Sequence, residues 1–380
     1  MSLPGLRDRA GNLKGTDFLH FYTLGSLALA HDGADLYSLR AQSATAAARV
    51  PSAAGIFYLP LYPPQVSILF APLARLSYAT ALSIWIAFSA LIYALCCYVV
   101  WGACPNLRRE KTTVVILALG FPAFWHLIAW GQSSALALAC FTLAFCAFRS
   151  RRDFLAGLAL GCLIFKPQLA LGAAIVFVCT LRWRVIAGAF VSASAQLIAG
   201  WVYWGGDPFR NWIETLMNAR KQFSWLEPRP YQTHCLRTFW TMLLPWPVVS
   251  FTLYVFSGIV ISIFAIICWR RRMPLSVRFS ALLFATVLLA PHLTVYDLVI
   301  LAPAFILLSD WILAQPDERR SRHLALLLYL AFVLPLVGPL ARWTHFQASV
   351  PVMASILYFL WHCGRSSPER LSVPEHMVKL

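Results

Sequence analysis

The stretch FLAGLALGCLIFKPQLALGAAIVFVCTL, residues 154–181, decides how the chain is read. It is apolar throughout except for Lys166-Pro167-Gln168 near its centre. Arg149, Arg151 and Arg152 precede it, and Arg182 and Arg184 follow it. Basic clusters beside apolar segments stay on the cytoplasmic side of a membrane. A stretch flanked by two of them must therefore enter and return, and the only place to turn is Lys166-Pro167. Each arm of about 13–15 residues gives roughly 20–22 Å of helix, short of the ~30 Å hydrocarbon core. Lys166 is expected below the far surface, where a lone ammonium is costly unless it faces a cavity or a partner. An anionic lipid head could meet it there.

Working outward, the same pattern recurs. The 380 residues are 60% hydrophobic and 12% charged, with a mean hydropathy of +0.68. Apolar runs of about 17–25 residues identify a polytopic membrane protein. The runs are continuous and do not alternate, so they are helices rather than barrel strands. Eleven segments are expected: about 78–102, 112–130, 132–148, 153–165, 167–181, 184–204, 246–269, 275–290, 296–313, 322–338 and 346–362. The net charge of +16 does not point to nucleic acid. Its Lys and Arg residues sit in short loops on one side (Arg108, Arg109, Lys111; the clusters above; Arg270, Arg271, Arg272; Arg319, Arg320, Arg322), which is a topology signal. The short loops on the other side hold only Lys166 and Arg342. The cysteines, mostly inside apolar runs (Cys96, Cys97, Cys140, Cys146, Cys162, Cys179), have no metal-ligand spacing and read as small hydrophobes.

This alternation places on the outer side residues 17–77, the turn Trp130-Gly131-Gln132, Lys166-Pro167, a long loop 205–245, Pro291-His292-Leu293-Thr294, and 338–345. Asp17 opens an amphipathic helix, Ala34-Asp35-Leu36-Tyr37 is a turn, and Tyr62-Pro63-Pro64 forces a clean helix start. The long loop combines Trp212, Trp225, Tyr231 and Trp240 with Arg210 and Arg220, the composition of helices lying in the interface. The whole chain reads as one membrane-embedded domain with a cytoplasmic tail, 364–380. Residues 1–77 must lie outside, yet Met1 to Thr16 has no apolar core that would carry them across. A transmembrane helix preceding this sequence is therefore expected.

The motifs Asp17-Phe-Leu-His-Phe-Tyr22, Gly33-Ala-Asp-Leu-Tyr37, Tyr62-Pro-Pro64, Gly131-Gln132 and Gly157…Lys166-Pro167 occur in that order. In this they resemble bacterial glycosyltransferase family 87, the polyprenyl-phosphate-mannose-dependent α-mannosyltransferases of the glycosyltransferase-C superfamily. The resemblance covers residues 15–310. It implies an all-α bundle whose first helix, ordinarily ahead of the Asp-Phe motif, is missing here. The implied activity is transfer of a hexose, most readily mannose, from a polyprenyl phosphate. The acceptor would be a lipid-linked or polysaccharide hydroxyl on the outer face of a bacterial inner membrane.

Such a transfer needs a base for the acceptor hydroxyl and cationic or donor groups for the departing phosphate. By the resemblance Asp17 is the base; read locally, Thr16-Asp17 is equally a helix cap. Lys166 is the candidate phosphate cation, against a snorkelling anchor. His292 and Gln132 are candidate phosphate donors. Asp297 is expected to cap segment 296–313 and could orient His292. His20, Tyr22, Tyr62 and Gln168 are candidate sugar or acceptor contacts, with Tyr37 and Tyr58 in the same aromatic group; interfacial aromatic belts explain such tyrosines as readily. Arg210, Arg220, Lys221 and Arg237 would meet an anionic substrate or lipid heads. No cofactor is expected: there is no DxD-like pair, HExxH or Cys/His cluster, although some superfamily relatives use a divalent metal. Two other readings stay open, a transporter or lipid flippase built on a broken helix, and a non-catalytic subunit of an envelope-synthesis complex.

Overall fold

The computed structural model describes residues 5–9, 11–56, 58–219, 227, 229–315 and 318–363. The expected tail 364–380 and Arg220, Lys221 and Trp225 lie outside the described residues. Elsewhere the chain is helical.

Helix α1 (Thr16–Leu29) is followed by a 3-10 turn at Ala34–Tyr37, α2 (Leu39–Arg49) and α3 (Gln65–Ala74). Although amphipathicity was the expectation for α1, it is largely buried: α3 packs so closely on it that a Cβ at Gly25 would fall 2.5 Å from the Phe70 carbonyl oxygen. Next come α4 (Tyr78–Gly102), α5 (Lys111–Gly120), α6 (Pro122–Trp130) and α7 (Ser134–Arg149). Ser77 caps α4 by accepting from the Thr80 amide at 3.3 Å. Pro122 opens α6 and bends it 49° from α5.

The hairpin follows as α8 (Asp153–Gly161), 3-10 turns at Cys162–Phe165 and Pro167–Leu169, and α9 (Leu171–Cys179). Then come α10 (Trp183–Trp204), α11 (Asp207–Ala219), α12 (Leu236–Leu243), α13 (Pro247–Arg270) and α14 (Leu275–Leu289). A 3-10 run Val295–Leu301 leads into α15 (Ala302–Leu313), α16 (Glu318–Val333), a 3-10 run Leu334–Leu340, α17 (Ala341–Thr344) and α18 (Ser349–Cys363). Helix α14 is the axis of the core, packed against α13, α15, α18 and α9, and nearly all its residues are buried.

Every segment anticipated from hydropathy is helical, but the segments are not equal. Among the described residues five helices are long and apolar enough to cross a membrane: Tyr78–Gly102, Trp183–Trp204, Pro247–Arg270, Val295–Leu313 and Glu318–Thr344. The bent pair α5–α6 makes six. The other expected segments are shorter apolar helices, so eleven full crossings is more than the lengths support. The protein is a multi-pass, all-helical membrane protein.

The hairpin is real, and glycine explains its placement. A Cβ at Gly157 would lie 2.1 Å from the Val185 carbonyl oxygen, and one at Gly161 2.2 Å from that of Ala189. Helix α8 therefore lies backbone to backbone on α10, the small-residue packing used where lipid supplies no hydrophobic drive. The two contacts advance in the same sense, so α8 and α10 run parallel and the intervening chain has reversed. The basic loops gather together as well. Asp310 accepts from the Asn106 amide at 2.7 Å, Arg182 pairs with Asp153 at 3.3 Å, and Arg271 donates to the Trp361 carbonyl at 2.8 Å.

Candidate active site

Of the segments assigned to the outer side, all but the last line one cavity of about 1340 Å³. Its walls include residues ahead of α1 and the start of that helix, Ile56, Tyr58, Leu59, Leu61 and Tyr62, the end of α6 with Gln132, Phe165 to Gln168, Leu216, Glu227, Arg229, Gln232 and Thr233 of the returning loop, and parts of 291–297.

Two left-handed glycines set Asp17 at its wall. Gly15 (φ 64°) is the N-cap of α1, and Gly131 (φ 68°) ends α6. A Cβ at Gly131 would sit 2.7 Å from Phe18 Cβ, so only glycine allows the approach. The Gly15 amide donates to the Ala129 carbonyl at 3.3 Å, Tyr78 donates to Gly15 at 2.8 Å, and Trp85 donates to Gly131 at 2.9 Å. Asp17 is not the cap, since the helix begins ahead of it with no side-chain cap bond. Instead Asp17 Oδ2 accepts from Gln132 Nε2 at 2.9 Å. Burial pushes the Asp17 carboxyl up to about 6, and the Gln132 hydrogen bond and the Lys166 charge limit the rise. Asp17 thus remains mostly ionised at neutral pH and is a stronger base than an ordinary aspartate.

The expectation for Gln132 was the donor phosphate. Here both its N–H groups are engaged, one on Asp17 and one on the Tyr296 hydroxyl at 3.1 Å. Its oxygen accepts from the Ser133 amide at 2.8 Å and from Tyr62 at 3.3 Å. The amide fixes the carboxylate.

Lys166 is 4% exposed and does not snorkel. Its Nζ donates to Asp297 Oδ1 at 2.6 Å and Ser134 Oγ at 3.1 Å, and lies 5.1 Å from the Tyr296 ring centroid. Ser134 also donates to Asp297. Asp297 Oδ2 takes the Thr294 amide at 3.3 Å, so the expected cap is present and the other oxygen serves the ion pair. A buried ammonium needs such a partner.

His292 does not meet Asp297. Its Nδ1 lies 2.7 Å from Glu227 Oε1, and Arg237 also pairs with Glu227 while donating to the Pro291 carbonyl. Thr233 bridges to Thr294, and the His234 amide donates to Leu293 at 3.0 Å. The returning loop is thereby strapped over 291–294. Burial raises the Glu227 carboxyl, but His292 and Arg237 outweigh it and hold the group below its ordinary value.

His20, Tyr62 and Gln168 line the cavity, as does Tyr58. Tyr22 does not; its hydroxyl donates to the Leu76 carbonyl at 2.8 Å. Tyr37 also lies elsewhere, donating to the Tyr62 carbonyl at 2.8 Å. Arg210 is exposed and pairs with Asp207 at 3.4 Å. Sequence reasoning missed Tyr296, Glu227, Ser134 and Arg229. The last lines the cavity with its guanidinium 5.8 Å from the Trp130 ring centroid. Ser134 lies two residues beyond Gln132 and Tyr296 lies beside Asp297, the one signal that pointed to them. Among the described residues no three His, Cys, Asp or Glu side chains converge as metal ligands.

The helical bundle thus encloses a cavity that carries a raised carboxylate and a buried, paired ammonium. The chain belongs to glycosyltransferase family 87, whose family model matches residues 61–291, more than half its length. No match was found among curated proteins or solved structures. Tyr62, Gln132 and Lys166 lie inside the matched stretch, whereas Asp17, His292 and Asp297 lie outside it.

Proposed function

We propose that this membrane glycosyltransferase moves a hexose, mannose by family resemblance, from a polyprenyl phosphate to a lipid-linked or polysaccharide acceptor. The reaction takes place at the outer face of a bacterial inner membrane. The reading is carried by one observation: the raised Asp17 carboxylate and the buried Lys166 ammonium, from distant parts of the chain, face the same cavity.

Asp17 takes the proton of the acceptor hydroxyl as its oxygen attacks C1 of the donor sugar. The C1–O bond to phosphate breaks, and the phosphate leaves with the electron pair. A single in-line displacement inverts the anomeric centre. Gln132 holds the carboxylate in one orientation, which shortens the search for a reactive geometry. His292 and the third N–H of Lys166 are assigned to the phosphate. An ammonium has three donors, and Asp297 and Ser134 engage two of them. Tyr62 and Gln168 border the sugar.

Purified protein with radiolabelled polyprenyl-phosphate mannose and a membrane lipid extract tests this. A labelled lipid or polysaccharide product from wild type and none from Asp17→Asn supports the reading. Product formation by a folded Asp17→Asn variant at the wild-type rate would remove Asp17 from catalysis. Label crossing a vesicle membrane unreacted would favour a flippase.

A further inference from the structure

His20 is 4% exposed, lines the cavity, and neither ring nitrogen has a hydrogen-bond partner among the described residues. Leaving a buried polar group unsatisfied is costly, so an orphaned imidazole is not a neutral choice for a core position. Among the described residues no neighbour is hydrogen-bonded to the ring. The ring lies between Tyr58 and Tyr62, with centroids at 5.3 and 5.7 Å. Both neighbouring hydroxyls donate elsewhere, Tyr58 to the Thr16 carbonyl and Tyr62 to Gln132. His20 follows Asp17 by one helical turn, a spacing that puts side chains about 5–6 Å apart on one face.

We propose that His20 binds the acceptor sugar through the hydroxyl adjacent to the one that attacks, so that the transferase selects acceptors carrying a vicinal diol. This rests on the transferase reading and on Asp17 as its base. Two neighbouring sugar hydroxyls are roughly 3 Å apart, so with one on Asp17 the other reaches the imidazole at ordinary hydrogen-bond lengths. Neutral imidazole offers one donor and one acceptor, matching a hydroxyl that both gives and takes. Burial lowers the His20 ring to about 4, so it is neutral at physiological pH. The flanking Tyr58 and Tyr62 rings supply apolar faces for the C–H side of a sugar. An acceptor without the second hydroxyl would leave the orphan unpaired, and discrimination follows from that asymmetry.

The test uses purified full-length protein, radiolabelled polyprenyl-phosphate mannose, and membrane lipid extract titrated as acceptor. Both transferred sugar and sugar released to water are counted. His20→Phe and His20→Ala should lower the ratio of transfer to hydrolysis about tenfold, the worth of one buried hydrogen bond, mainly through a higher half-saturating acceptor concentration. His20→Gln should recover part of it. An unchanged ratio, or transfer and hydrolysis falling together, would overturn the assignment. His20→Phe keeps a ring in the aromatic cluster, so its thermal midpoint should equal or exceed that of wild type. A lower midpoint would mean that the imidazole serves the fold and would overturn the assignment independently. Wild type that neither transfers nor releases sugar would refute the transferase reading itself, and this inference with it.

Discussion

Replacing Lys166 by Met separates the bundle's electrostatics from its hydropathy. On insertion scales alone the change should ease membrane entry, because a charge at the bilayer centre costs about 2.5–3.5 kcal/mol. The structure reverses the sign. Lys166 and Asp297 are 4% and 1% exposed and meet at 2.6 Å. Removing the ammonium strands a buried carboxylate that keeps only the Ser134 hydroxyl and the Thr294 amide. Breaking a buried pair from one side costs about 3–5 kcal/mol, which outweighs the insertion gain. Lys166→Met should therefore be markedly less stable than wild type, and Asp297→Asn should lose stability from the other side. The double variant should recover much of the loss, because neither charge is then orphaned. The assay is thermal unfolding in detergent across the four-member cycle, with a coupling of at least about 2 kcal/mol expected from contact of this kind. Additive single effects, or a Lys166→Met protein as stable as wild type, would refute the pairing argument. Loss of transfer in a double variant that has regained its stability assigns the ammonium a role beyond structure.

Other perturbations read other parts of the site. The Asp17 carboxyl is raised by burial from 3.8 to about 6, so the folded state favours its neutral form. Its charge therefore weakens the fold increasingly as pH rises from about 4 through 6, and Asp17→Asn should raise the thermal midpoint more at pH 7.5 than at pH 4.5, with transfer lost at both. In the wild type, transfer should fall as pH drops through about 6, read from a kcat/KM profile. Gly157→Ala would drive a Cβ to within 2.1 Å of the Val185 carbonyl oxygen. It should separate α8 from α10 and cost about 1–3 kcal/mol, seen as a lower midpoint and reduced transfer. Glu227 is held below its ordinary 4.5 by His292 and Arg237; the strap's stability should thus be present above that pH and lost as pH falls further. Glu227→Gln should remove this acid sensitivity, measured by hydrogen exchange in residues 229–235.

The hairpin, the helical class and the gathering of the segments assigned to the outer side were legible from charge and hydropathy, because basic clusters and apolar length act locally. Segment lengths were less so: the bend at Pro122 and the 3-10 run Val295–Leu301 shorten helices that hydropathy draws as continuous. Asp17 carried a motif signal, and the cap that competed for it is supplied by Gly15 instead. The partners were hidden. Lys166 and Asp297 are 131 residues apart, and His292 and Glu227 65. Nothing local distinguishes an aspartate that caps a helix from one that caps and also neutralises a buried amine. Such pairings are fixed only when α7, the hairpin and the Val295–Leu301 run pack together. His20 was visible as a helical neighbour of Asp17, but its lack of partners is a property of the packed cavity.

A structure determined with a non-hydrolysable polyprenyl-phosphonate sugar bound tests the central claim most directly. The account places the phosphonate against His292 and Lys166, with C1 of the sugar turned toward the space in front of Asp17 and the prenyl chain leaving the cavity into lipid. Occupancy of the cavity with C1 facing away from Asp17, or binding at another surface with the cavity empty, would contradict it.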